Sequence, residues 1–89
     1  FTEAERAWAR SPEERTAVWS VKEAVLKALG VGLALSPREI EVRSIVDGLA
    51  DVALSGEVAA AHARLGGAPL RVRVGTFGGG VVATAVFAA

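Results

Sequence analysis

The segment from Ser11 to Gly30 constrains the fold of this chain more than any other. Ser11-Pro12-Glu13-Glu14 is a helix start: Ser11 caps, Pro12 takes the first helical position and Glu14 closes a capping box. Ala, Leu, Glu and Lys dominate the residues after it, and these are good helix formers. Val18, Val21, Val25 and Leu29 recur at spacings of three and four, which makes one apolar stripe. Gly30 stands where a helix most often stops. The spacing predicts one long helix over Pro12–Leu29, whose stripe must be buried against other elements.

The remaining elements are shorter. Thr2-Glu3-Ala4-Glu5 fits another capping box and predicts a helix to about Ala9, with Ala4, Ala7 and Trp8 as its apolar side. Ser36-Pro37-Arg38-Glu39 repeats the start signal without a stripe behind it, so one turn is expected. Ile40–Val46 opens with apolar–polar alternation, Asp47-Gly48 is a hairpin turn signal, and Leu49–Leu54 returns as the partner strand. Ser55 or Gly56 opens an Ala-rich helix over 57–65, which Gly66-Gly67-Ala68-Pro69 ends. Leu70-Arg71-Val72-Arg73-Val74 is a strand with one wet face. Gly78-Gly79-Gly80 is a loop, and 81–88 is a closing strand, apolar apart from Thr84 and so expected to be central or covered on both sides. The order ααβ(β)αββ is α+β, with helices packed on one face of a small antiparallel sheet.

Composition narrows the function classes. A chain of 89 residues makes one domain, yet 52% of it is hydrophobic, more than so small a body hides. Part of its surface is expected to meet another lobe or subunit. A net charge of zero argues against nucleic acid as a partner. Without Cys and with one His, neither a thiolate nor a histidine-rich metal site is available. No apolar run approaches the ~20 residues that span a bilayer, so no membrane partner is expected. The opening has no leader character, which points to a cytoplasmic location, and its abrupt start reads as that of a fragment.

Three charges interrupt the long helix. Lys22 and Lys27 are the only lysines; the other eight basic residues are Arg. Glu23 and Lys27 are four apart and share a face, with Trp19 one turn before and Leu26 three residues after. Compact ammonium groups around one carboxylate suit a phosphate ligand. The plain alternative is a solvated ion pair worth roughly 0.2–0.5 kcal/mol. Arg15, four residues before Trp19, is placed toward the same face. Elsewhere plain readings suffice. Gly75-Thr76-Phe77-Gly78-Gly79-Gly80 lacks the following helix that a phosphate cradle needs, His62 reads as a surface histidine, Arg71 and Arg73 as a solvated face, and Asp47 as turn chemistry.

The run Trp19-Ser20-Val21-Lys22-Glu23-Ala24-Val25-Leu26-Lys27-Ala28-Leu29-Gly30 resembles the WxxKEAxxKxxG motif of the 4′-phosphopantetheinyl transferase superfamily. Phe1-Thr2-Glu3-Ala4-Glu5 is similar to that family's F-[ST]-x-x-E opening, and Ile40-Glu41-Val42 and Leu54-Ser55-Gly56 match its strand and L-x-G positions. The resemblance implies transfer of the phosphopantetheine arm of coenzyme A to a serine of an acyl or peptidyl carrier protein, in fatty acid, polyketide or peptide synthesis, with adenosine 3′,5′-bisphosphate as the other product. It implies Glu23 as a Mg²⁺ ligand that also assists deprotonation of the serine. Lys22 and Lys27 would hold phosphates, Trp19 would orient the helix, and Gly30 and Gly32 would let coenzyme A lie close to the backbone.

Two departures from the family pattern matter. The metal-binding Asp of its G-[IV]-D strand, just upstream of F-[ST]-x-x-E, has no counterpart here, and the Ser-His near the last hairpin of single-lobe members is replaced by Gly75-Thr76-Phe77-Gly78. The resemblance therefore implies the C-terminal lobe of a double-length or synthase-embedded member. Such a lobe is completed by a second one in a pseudo-dimer or trimer and is inactive as 89 residues alone. The competing expectation is a non-catalytic α+β interaction module, which would leave Glu23 fully in solvent.

Overall fold

Both capping boxes form, and they start the first two helices. In α1 (Glu3–Trp8) the Glu5 amide donates to Thr2 Oγ1 at 3.2 Å while the Thr2 amide donates to Glu5 Oε1 at 2.7 Å. In α2 (Pro12–Leu29) Ser11 and Glu14 exchange the same two bonds at 3.1 Å each. The computed structural model describes residues 2–30, 36–77 and 80–87. Further along come a 3₁₀ turn (Pro37–Glu39), β1 (Ile40–Val46), β2 (Leu49–Leu54), α3 (Gly56–Arg64), β3 (Leu70–Phe77) and β4 (Gly80–Phe87). This is the expected α+β lobe.

The sheet is antiparallel throughout, in the order β1-β2-β3-β4. Asp47 and Gly48 both have positive φ, 52° and 74°, as a two-residue hairpin of this twist requires. A bulge between Val42 and Ser44 lets both Val42 and Ile45 face the core. The stripe of α2 meets the inner sheet face: Val18, Val21, Val25 and Leu29 pack with Ile40, Val42, Val72 and, from α3, Val58.

Four local expectations change. The inward side of α1 is Glu5 and Trp8; Ala4 and Ala7 are exposed. The reason is that α1 sits on the outer edge of β1, where the Val42 amide donates to Glu5 Oε2 at 2.6 Å and Trp8 Nε1 donates to the Val42 carbonyl at 3.0 Å. Polar groups thus cover an edge that would otherwise offer free backbone. β3 runs on through Gly75 to Phe77, so the start of the glycine-rich stretch is strand; Gly78 and Gly79 lie outside the described residues. β4 is neither central nor covered on both sides. It is an edge strand, with Ala83 and Ala85 against the core and Val82 and Thr84 exposed. His62 is half-buried, since Nε2 lies 2.7 Å from the Ala68 carbonyl and closes the loop after α3.

The helices leave the other sheet face open. Val46, Leu49 and Val82 are 62%, 46% and 50% exposed there, alongside Arg71 and Arg73. The apolar excess of the composition is therefore partly on the surface.

Candidate functional site

Helical periodicity divides α2 into two functional faces. Val18, Val21, Lys22, Val25 and Leu29 are buried, whereas Trp19, Glu23 and Lys27 are exposed along the outer side. Trp19 is 47% exposed, so it covers part of this outer face rather than filling the core. Leu26 turns the other way and packs against the core. Glu23 and Lys27 thus stand on one ridge, a turn apart, behind a half-exposed indole. Gly30 caps the helix with φ 144° and its amide bonds the Leu26 carbonyl. Gly32 lies outside the described residues. Arg15 is not part of the ridge: its Nε donates to the Ala9 carbonyl at 3.3 Å and ties the turn between α1 and α2.

Lys22 has a different environment from Lys27. It is 1% exposed, its Nζ lies 2.8 Å from Glu5 Oε1, and it donates to the Pro37 carbonyl at 3.2 Å. Glu5 is fully buried. Burial pushes the Glu5 carboxyl upward, but the bond from Lys22, the amides of Val42 and Thr2 and the ammonium charge outweigh it and hold the group below the usual carboxylate range. The two lysines flanking Glu23 in sequence are thus not equivalent in space. One is on the surface ridge and the other is engaged inside the lobe.

This network is the feature that sequence reasoning missed. Glu5 was read as a cap and as the Glu of the F-[ST]-x-x-E opening, and neither reading gives it a buried cation as partner. The burial of Lys22 had a signal: it lies four residues after Val18 and three before Val25, inside the apolar stripe.

Two open grooves occur among the described residues. One, of about 370 Å³, lies between the start of α2 and the hairpin, lined by residues including Trp8, Glu14, Ile45 and Val74. The other, of about 560 Å³, lies beside Arg73 and Thr84. Neither is lined by Lys22, Glu23, Lys27 or Gly30. Among the described residues no group of three or more His, Cys, Asp or Glu side chains is gathered to hold a metal. By itself, then, the ridge offers one carboxylate and one ammonium to whatever approaches it. No helix is long and apolar enough to cross a membrane among the described residues.

Comparison with known proteins bears on what approaches. A family model described as the 4′-phosphopantetheinyl transferase superfamily matches residues 1–85. A curated relative, the holo-[acyl-carrier-protein] synthase of Salinispora arenicola (strain CNS-205), is 44% identical over 70 residues, which cover 74% of this chain and 57% of the relative. The chain thus spans little more than half the length of that relative. No solved structure gives a significant match.

Proposed function

The chain belongs to the 4′-phosphopantetheinyl transferase superfamily, and we propose that it is one lobe of an enzyme that transfers the 4′-phosphopantetheine arm of coenzyme A to a serine of an acyl or peptidyl carrier protein. The observation that carries this reading is the family match over residues 1–85, which includes the helix motif whose Trp19, Glu23 and Lys27 share one face of α2. In the reaction the serine oxygen bonds to the β-phosphorus of coenzyme A as the bond to the bridging oxygen breaks. Adenosine 3′,5′-bisphosphate leaves and the serine proton passes to a base. Such transfer needs positioning and charge neutralisation more than covalent help.

Lys27 is the group that meets the phosphates, as an exposed ammonium on the ridge. Glu23 accepts the serine proton through a water, and its carboxylate would be a ligand for Mg²⁺. The donor set fits that ion in a shared way, since magnesium keeps several waters and takes one or two carboxylates together with substrate phosphates. Glu23 would be one of those carboxylates, and a second would come from outside the 89 residues. When bound, the ion would neutralise charge on the diphosphate. Gly30 lets the ligand approach the backbone at the end of α2.

The exposed ridge also implies a second wall. Glu23 lines neither of the two grooves described above, and in this reading a partner lobe or subunit supplies the rest of the site. The missing Ser-His near the last hairpin supports placing this chain as the second lobe of a double-length or synthase-embedded member. The open apolar sheet face gives a further surface for association.

The exposure of Glu23 also suits a second reading, a non-catalytic interaction module. One experiment separates them. The full-length protein is incubated with coenzyme A, Mg²⁺ and a carrier protein, and the carrier is weighed by mass spectrometry. A phosphopantetheine adduct that disappears in a folded Glu23→Ala variant supports the transferase. No adduct across fatty acid, polyketide and peptide carriers supports the module.

A further inference from the structure

We propose that Glu5 and Lys22 are a positioning pair that sets the rotation of α2 about its own axis and so aims Glu23 and Lys27 outward. This rests on the transferase reading for its kinetic consequence, though not for its structural one. The stripe of α2 would bury an apolar residue at position 22 without difficulty, since Val18, Val21, Val25 and Leu29 around it are 0–3% exposed. A lysine stands there instead and meets a carboxylate that is fully buried. The pair joins four elements. Lys22 bonds Glu5 at 2.8 Å and the Pro37 carbonyl at 3.2 Å, and Glu5 bonds the amides of Thr2 at 2.7 Å and Val42 at 2.6 Å.

Stability alone is a poor reason for such a pair. Replacing a buried ion pair by packed apolar residues is often neutral or stabilising. Directional bonds do something that apolar contact does not, because a valine stripe tolerates small rotations that hydrogen bonds of this length resist. With side-chain tips about 6 Å from the helix axis, a rotation of about 20° moves Glu23 and Lys27 by about 2 Å. A misplacement of about 1 Å can cost on the order of a hundredfold in rate. Glu23 follows Lys22 directly in the chain, so the buried bond and the surface carboxylate are rigidly coupled.

The test is the double variant Glu5→Leu/Lys22→Met in the full-length protein, which keeps an apolar, filled interior. The Trp19 indole and Lys27 amide resonances are followed by NMR without coenzyme A, and carrier loading is measured alongside. Both resonances should move relative to the wild type. In loading, kcat should fall about tenfold or more, and KM for coenzyme A should rise no further than it does in Lys27→Ala. If the double variant does not fold, Glu5→Gln carries the same readouts, since it keeps the Lys22 cation but alters its partner. Unmoved resonances or an unchanged kcat overturn the proposal and leave the pair purely structural. A rise in KM at constant kcat also overturns it, because a displaced Glu23 must slow turnover. A wild type that loads no carrier while the variant resonances move sinks the transferase reading and leaves the positioning pair standing.

Discussion

Lys22 Nζ lies 2.8 Å from Glu5 Oε1, with both side chains at or below 2% exposure, and this bond links the middle of α2 to α1. The two residues are seventeen apart in sequence and belong to two different helix motifs. Removing one partner strands the other in a medium that solvates charge poorly. Lys22→Ala should therefore destabilise the lobe by about 3–5 kcal/mol. Urea unfolding followed by circular dichroism measures this. A loss below about 1 kcal/mol would mean that water reaches Glu5.

The same pair makes stability depend on pH. The Glu5 carboxyl is held below its usual range, so the folded lobe binds its proton less readily than the unfolded chain does. Its contribution is fully present above the unfolded carboxylate value and is lost as pH falls through the lower, folded one. Urea midpoints should fall on acidification below about pH 5, where unfolded carboxylates begin to protonate. The fall should be shallower in Glu5→Gln, which has no carboxyl to titrate at this position. Equal slopes would show that other acids carry the effect.

The outer ridge should behave in the opposite way. Glu23 and Lys27 are exposed, so Glu23→Ala and Lys27→Ala should each change stability by no more than about 0.5 kcal/mol. Carrier loading should fall by about 10²–10³ in kcat for Glu23→Ala, the scale seen when one group that stabilises transition-state charge is removed. For Lys27→Ala, KM for coenzyme A should rise as well, because a phosphate contact is lost. A Glu23→Ala enzyme with unchanged turnover would refute the assignment.

The cap of α3 comes from a distance. Ser55 makes no side-chain cap bond; the Val58 amide donates instead to Glu39 Oε1 at 3.2 Å. Gly56 has φ +57°, and a Cβ there would run into the Glu39 carboxylate. Glu39→Ala should cost about 1 kcal/mol, as loss of a helix cap does. Gly56→Ala should cost about 1–2 kcal/mol through the left-handed backbone alone. Combining them should cost less than the sum, because Glu39→Ala also removes the group that the new methyl meets. Thermal unfolding of the two single variants and the double variant checks this.

Ligand linkage provides a separate check. If the ridge takes coenzyme A with Mg²⁺, the two together should raise the unfolding free energy of the full-length protein, by about 2.7 kcal/mol at a hundredfold excess over Kd. Chelation of the metal or Glu23→Ala should remove the gain. Calorimetric scans with and without EDTA measure it.

Local chemistry determined much of this lobe from its sequence. The bounds of α2, both capping boxes, the Asp47-Gly48 turn and the order of elements follow from spacing and capping, which act over a few residues. The motif on α2 was legible for the same reason, since a helix face is a matter of periodicity. Three things only the tertiary structure decided. The spacing of Lys22 from Val18 and Val25 signals burial, but its partner Glu5 comes from another helix, and no local rule couples the two. The apolar run of β4 signalled coverage, yet whether this lobe supplies that cover depends on strand order, and β4 falls at an edge. The cap of α3 is a glutamate from the preceding 3₁₀ turn, brought there by the β1–β2 hairpin. Burial and long-range pairing arise only when separate elements meet, so the sequence states which faces are apolar and the packed fold decides what each face touches.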